Sequence, residues 1–137
     1  MKKIIFIFLF YFTNLCAEDF RLEKIIKNLN SPWSLSFVDA RYALITEKSG
    51  NIKILDLETK TIKVIQHNLN ILEDGQGGLL DILYKDNFVF ISYSENRSSG
   101  MSSTSVAKAK FSKKKIIFEN LFQAEPPIKS GYHFGSR

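Results

Sequence analysis

The chain has 137 residues, 45% of them hydrophobic and 24% charged, with a formal net charge of +5 at pH 7. This composition excludes a disordered chain, and the length allows one small domain. Twelve Phe and five Tyr favour strands over helices, because aromatic rings pack well on a half-buried pleated surface.

Met1-Lys2-Lys3 is basic, Ile4 to Phe12 is unbroken apolar, and Thr13 to Ala17 turns small and polar before Glu18-Asp19. That order is the pattern of a secretory signal peptide over residues 1–17, cut after Ala17. The apolar run is far shorter than the ~20 residues of a membrane-spanning helix. An uncleaved anchor is the alternative. Cys16 lacks the Leu three places back and the small preceding residue that lipidation signals carry. Cleavage implies a periplasmic or secreted protein with no stable membrane insertion. It removes the single cysteine, and with it any disulfide or thiolate chemistry. It also removes Lys2 and Lys3, taking the net charge from +5 to +3. Lys113-Lys114-Lys115 reads as a solvated hairpin tip. No wide basic stripe with interleaved stacking groups exists, so nucleic acid is not an expected partner.

Residues 18–137 read as an all-β meander. Alternating apolar runs predict strands at Arg21 to Leu29, Trp33 to Val38, Tyr42 to Lys48, Asn51 to Leu57 and Thr61 to His67. Further strands are predicted at Leu79 to Tyr84, Phe88 to Ser94, Thr104 to Phe111 and Lys115 to Phe122. Turn residues separate them, and Ser49-Gly50 marks a tight hairpin. The pattern repeats. Leu35 and Phe37 precede a turn with Asp39 and a strand at Tyr42; Leu80 and Ile82 do so 45 positions later. The second turn is one residue longer, giving an offset of 46 at Phe88. A period of ~40 to 50 with about four strands is the mark of a β-propeller. A barrel or sandwich remains open on periodicity alone.

In a propeller blade the first strand lines the central channel, and residues just before it sit at one mouth. Blade starts near Leu35 and Leu80 place Ser31 and Gln76 at that mouth. Gly78 lies two after Gln76, and Gly135 lies two after His133, so His133 marks a third blade start. Gly75-Gln76-Gly77-Gly78 combines backbone freedom with an amide that both donates and accepts. It has no following Lys-Ser/Thr and no helix, which excludes a phosphate loop. His133 belongs to Gly131-Tyr132-His133-Phe134-Gly135-Ser136-Arg137. Histidine is the residue type whose ordinary pKa lies near neutrality, which suits it to taking a proton from a hydroxyl. His67 has no partner motif and reads as surface or turn, so the two histidines make no metal site.

Five stretches together are more specific. Leu29-Asn30-Ser31-Pro32-Trp33-Ser34-Leu35-Ser36-Phe37, Leu44-Ile45-Thr46-Glu47-Lys48-Ser49-Gly50-Asn51-Ile52, Gly75-Gln76-Gly77-Gly78-Leu79-Leu80-Asp81-Ile82, Phe90-Ile91-Ser92-Tyr93-Ser94 and His133-Phe134-Gly135-Ser136-Arg137 occur in that order. They resemble the N-terminal part of the glucose/sorbosone dehydrogenase family, soluble aldose sugar dehydrogenases that use pyrroloquinoline quinone (PQQ). Ser136 stands where a second glycine is common.

The resemblance implies a six-bladed propeller with PQQ across the channel mouth and calcium polarising it. It implies that His133 is the catalytic base for the C1 hydroxyl of an aldose, that Gln76 binds cofactor and sugar, and that an external acceptor takes the electrons. It supplies no metal ligand among these residues. At about 45 residues per blade, the chain holds two to two and a half blades. The expectation is therefore a truncated propeller, inactive alone. The alternatives are a non-catalytic secreted propeller fragment that binds a carbohydrate or protein partner, and a decayed product.

Overall fold

The computed structural model describes residues 20–135, so the expected signal peptide over residues 1–17 lies outside the described residues. The strands are β1 (Pro32–Phe37), β2 (Tyr42–Glu47), β3 (Ile52–Asp56), β4 (Thr61–His67), β5 (Leu79–Lys85), β6 (Phe88–Asn96), β7 (Ser102–Lys110), β8 (Lys115–Ile116) and β9 (Glu119–Gln123). They form two sheets, in the orders β1-β2-β3-β4-β8 and β5-β6-β7-β9. Successive strands pair antiparallel as a meander, except that β8 lies parallel to β4. These are two propeller blades, the first of four antiparallel strands with the short β8 added beyond β4 and the second of four strands, each beginning at its inner edge.

The blades share one core. Leu44, Ile52, Ile54 and Ile65 of the first meet Leu79, Val89, Ile91, Tyr93 and Ala107 of the second, with Ile116 and Phe118 between them. The period-2 pattern turns these residues to one side. The seam of inner strand β5 against β1 and β2 is built differently, from the hydroxyls of Ser34, Ser36 and Thr46. Tyr84 N–H donates to Ser36 Oγ at 2.8 Å, Ser34 Oγ donates to Asp81 Oδ1 at 2.5 Å, and Thr46 Oγ1 donates to the Leu80 carbonyl at 2.7 Å. Ser34 and Ser36 thereby occupy edge groups of β5 that would otherwise invite another strand.

Both inner strands bulge near the same end. Pro32 pairs with Glu47 and Ser34 with Thr46, which leaves Trp33 as the extra residue of β1. In β5, Leu79 pairs with Tyr93 and Ile82 with Ile91, leaving Leu80 and Asp81 opposite one residue. The longer second turn expected from the repeat is absent. Asp86 and Asn87, both with positive φ, make a two-residue hairpin turn whose twist matches its strands. The added residue lies in the seven-residue β5 instead.

Three other expectations are corrected. Residues 21–29 form no strand; Phe20 is 93% and Leu22 100% exposed, because no sheet edge lies beside their alternating pattern. The single strand expected from Lys115 to Phe122 splits into β8 and β9, which join different sheets. Asn68 causes the break by clamping the Phe118 backbone: its Nδ2 donates to the Phe118 carbonyl at 3.0 Å and its Oδ1 accepts the Phe118 N–H at 2.8 Å. Lys113 and Lys114 therefore lie on a crossing between blades, and Lys115 opens β8, rather than forming a hairpin tip.

Candidate active site

The turn at Gln76 is fixed from both sides. Gly77 N–H donates to the Asp74 carbonyl at 2.7 Å, and Gln76 N–H donates to the Gly131 carbonyl at 2.6 Å. Lys48 Nζ donates to the Gly75 carbonyl. Gly75 has φ +53° with the Gly131 carbonyl against its Cα, so a side chain there would meet both strain and a clash. At Gly77 a Cβ would stand 2.7 Å from the Phe134 ring and 2.8 Å from Ser94 Oγ. The glycine thus lets Phe134 seat on the second blade. Phe134 is buried, and its carbonyl accepts Thr104 Oγ1 at 2.7 Å.

That anchor holds the neighbouring His133 at the mouth. His133 N–H donates to Gln76 Oε1 at 3.1 Å, across 57 positions of sequence. The sequence-derived pair is therefore brought together. Its backbone has φ +63°, a left-handed conformation uncommon outside glycine and enriched at sites where geometry is imposed. Among the described residues the imidazole has no hydrogen-bond partner and the Gln76 Nε2 donors have none. The nearest ring is Tyr132, 6.4 Å away and tilted 48°. Gln76 and His133 are both exposed. With Trp33, Leu80, Phe134 and Gly135 they line a cleft of about 380 Å³. Trp33 lies at the bulge of β1, and Leu80, itself buried, shares the bulge of β5 with Asp81.

Other polar clusters are internally satisfied. Glu95 accepts Ser105 Oγ at 2.6 Å, Gln123 Nε2 at 2.7 Å and Asn120 Nδ2 at 3.0 Å. Burial works against its charge, but these bonds hold the carboxyl below the usual range. Tyr93 OH donates to Asn120 Oδ1 at 2.7 Å, and burial pushes its phenol up to about 12. Glu47 accepts Lys53 Nζ at 2.5 Å, Asn30 N–H at 2.6 Å and Asn51 Nδ2 at 3.0 Å. Burial again opposes the charge, and these donors keep it low. His67 is half-buried rather than a free surface residue. It bonds the Gly50 carbonyl at 2.7 Å and receives Leu69 N–H at 3.3 Å, which fastens the first blade's outer strand to its β2–β3 turn. No three His, Cys, Asp or Glu side chains cluster as metal ligands among the described residues.

The model of the Glucose / Sorbosone dehydrogenase family matches residues 29–137. The chain belongs to the glucose/sorbosone dehydrogenase family. It is similar to a crystal structure of glucose dehydrogenase, with TM-score 0.78 and 28% identity over 84% of this chain and 36% of that one. It is likewise similar to the apo soluble aldose sugar dehydrogenase of Escherichia coli, with TM-score 0.76 and 28% identity over 84% of this chain and 36% of that one. The PQQ-bound aldose sugar dehydrogenase of Streptomyces coelicolor shares the fold, at TM-score 0.65 and 20% identity over 77% of this chain and 34% of that one. An uncharacterized Synechocystis protein is 30% identical over 133 residues, 87% of this chain and 32% of its own length. The chain thus spans about a third of the relatives it matches.

Sequence reasoning reached Gln76 and His133 but missed Trp33 and Leu80 as cleft residues. Both fall within motifs quoted for the family resemblance, and both lie at strand bulges that the sequence does not mark. Thr104 and Lys48 were also missed; each acts by holding a backbone carbonyl, a role with no sequence signature.

Proposed function

We propose that this site serves oxidation of aldose sugars at C1 to the lactone, with PQQ as the cofactor and an external acceptor receiving the electrons. The observation that supports it is the bond between His133 N–H and Gln76 Oε1, which sets an imidazole and an amide at one mouth in a chain of this family. The cleft's donor set fits one edge of a planar quinone: apolar walls from Trp33 and Leu80, and polar groups at the rim. Among the described residues no three His, Cys, Asp or Glu side chains gather as a calcium site.

When bound, PQQ supplies the two-electron acceptor for the hydride leaving C1. The chain's own residues prepare that departure. His133 accepts the proton of the C1 hydroxyl, leaving electron density on oxygen that expels hydride. The left-handed backbone and the Phe134 anchor fix its position without consuming its ring nitrogens. Gln76 spends Oε1 on the His133 backbone and keeps its Nε2 donors for a carbonyl or hydroxyl oxygen. Export after cleavage of residues 1–17 to the periplasm or medium is part of the same reading.

The test is aldose-dependent reduction of an artificial acceptor by the polypeptide carrying these residues, supplied with PQQ and calcium. His133→Ala is expected to lower the rate by ~10² to 10⁴; a variant as fast as the parent removes His133 as the base. The 137-residue chain alone is expected to show no turnover, and calorimetry is expected to show no micromolar PQQ binding.

A further inference from the structure

We propose that a cleft at the foot of the first blade, lined by Lys63, Lys113 and Lys114, is a binding site for a phosphate group. The site is separate from the mouth and stands without the aldose reading. Tyr42, which opens β2, lines this cleft, while Glu47 closes β2 at the mouth end. Five steps of strand put the two roughly 16 Å apart.

The first feature is how the fold gathers the lysines. Lys63 lies on β4, and Lys113-Lys114 lie on the crossing that returns the chain from the second blade to the first. The crossing is held at both ends. Phe111 packs edge-on against Tyr84 at 5.4 Å and donates its N–H to the Asn87 carbonyl at 2.9 Å. Gln66 N–H donates to the Lys114 carbonyl at 3.2 Å, where β8 begins to pair with β4. Lys113 Nζ stands 3.3 Å from the centroid of the Tyr42 ring, a cation–π contact that fixes one ammonium on the cleft wall. Cations far apart in sequence thus share one cleft of about 230 Å³.

The second feature is the missing counter-charge. Asp56 lines the same cleft, but its carboxylate is filled. Its Oδ2 accepts Arg41 Nε at 3.1 Å and Nη2 at 2.8 Å, and its Oδ1 accepts the N–H groups of Glu58 at 3.0 Å and Thr59 at 3.2 Å. The neighbouring acids are taken as well, Glu58 by Arg41 and Glu23 by Lys60. Among the described residues, Lys63, Lys113 and Lys114 therefore have no carboxylate partner. Like charges held in one cleft repel one another, and an anion among them relieves that repulsion. The lysines also set the class of anion. Each ammonium is a compact charge with three rotatable donors and no planar fork. Such a set suits an anion with high charge and several oxygens, which phosphate is and chloride is not.

The test is a nuclear magnetic resonance titration of the 137-residue protein with inorganic phosphate at neutral pH. Phosphate is expected to shift the Lys63, Lys113 and Lys114 side-chain signals and the Tyr42 ring together. The shifts are expected to saturate with a dissociation constant on the order of 1 mM, while sodium chloride at matched ionic strength leaves the signals in place. Lys63→Gln and Lys114→Gln are each expected to weaken phosphate binding about fivefold. Lys129→Gln, at an exposed lysine outside the cleft, is expected to change nothing. Unchanged backbone amide shifts show that each variant is folded. Silence toward phosphate overturns the site. So does an equal response to chloride, or equal weakening by Lys129→Gln, since either is a general charge effect. Vesicles then separate the sources of the phosphate group. Retention on phosphatidylglycerol but not phosphatidylcholine, lost in Lys63→Gln, assigns it to a lipid headgroup; phosphate binding without such retention assigns it to a soluble phosphate.

Discussion

The interior between the blades and the cleft at their mouth use polar groups in opposite ways. In the interior, every buried side-chain nitrogen or oxygen among the described residues has a hydrogen-bond partner, and the carboxylates of Glu47 and Glu95 each take three or more donors. At the mouth, the His133 ring and the Gln76 Nε2 are left unbonded among the described residues while their backbones are pinned. Interior polar groups fasten the fold; mouth polar groups are positioned by the backbone and left open. A group already bonded on every lone pair has nothing to offer a substrate, so saturation is the property that separates the two regions.

The contrast is tested most severely at Glu47, whose side chain is 1% exposed. Lys53→Met removes its cationic partner but leaves the Asn30 and Asn51 donors, so a loss of about 3 kcal/mol is expected, at the low end for breaking a buried pair. The pH dependence identifies the cause. Burial opposes the Glu47 charge, yet its hydrogen bonds hold the folded carboxyl below the ordinary 4.5. The unfolded chain therefore binds the proton more readily. The contribution of Glu47 is complete above about pH 4.5 and is lost as pH falls through the folded value. Thermal midpoints of parent and variant are expected to differ most at neutral pH and to converge in acid. A gap that is constant with pH would mean that Lys53 acts by packing alone.

The junction of the two regions is Gly77, and the next effect is expected there. Gly77→Ala drives a methyl into the Phe134 ring and Ser94 Oγ, at a cost of about 1 to 3 kcal/mol. Its signature is positional. Phe134 is displaced, so hydrogen exchange at residues 131–135 and the His133–Gln76 bond should suffer before the core of Leu44, Ile65 and Val89 does. Uniform loss of protection across both sheets would show that mouth and interior form one cooperative unit.

How much of this was legible in the sequence follows from the range of the forces involved. β4 was read at Thr61–His67, as observed, since alternation and the turn residues Glu58-Thr59-Lys60 are local. Residues 21–29 alternate as well, yet form no strand: periodicity reports what could pair, while pairing needs an edge. The split of β8 from β9 depends on Asn68, some 50 positions from the residue it clamps. Gln76 and His133 stood out because glycines flank them. Trp33 did not, since a bulge is a property of register between two strands and leaves no mark on one.

The smallest effect is expected at the exposed pair of Arg41 and Asp56, at the other end of β2 and β3. Arg41 Nη2 lies 2.8 Å from Asp56 Oδ2, and Arg41 Nη1 lies 2.9 Å from Glu58 Oε2. The guanidinium, helped by the N–H groups of Thr59 and Glu58, holds the Asp56 carboxyl at about 2, below its ordinary 3.8. Such a group contributes above the ordinary value and loses its contribution as pH falls toward 2, but solvent screens an exposed pair and makes it weak. Arg41→Ala is expected to raise the Asp56 titration midpoint part of the way to 3.8, since the backbone donors remain, and to leave the thermal midpoint nearly unchanged. A carboxyl titration followed by nuclear magnetic resonance, run beside a melting curve, reads both. A melting loss comparable with that of Lys53→Met would show that bonding density, rather than burial, decides which polar groups hold this fold together.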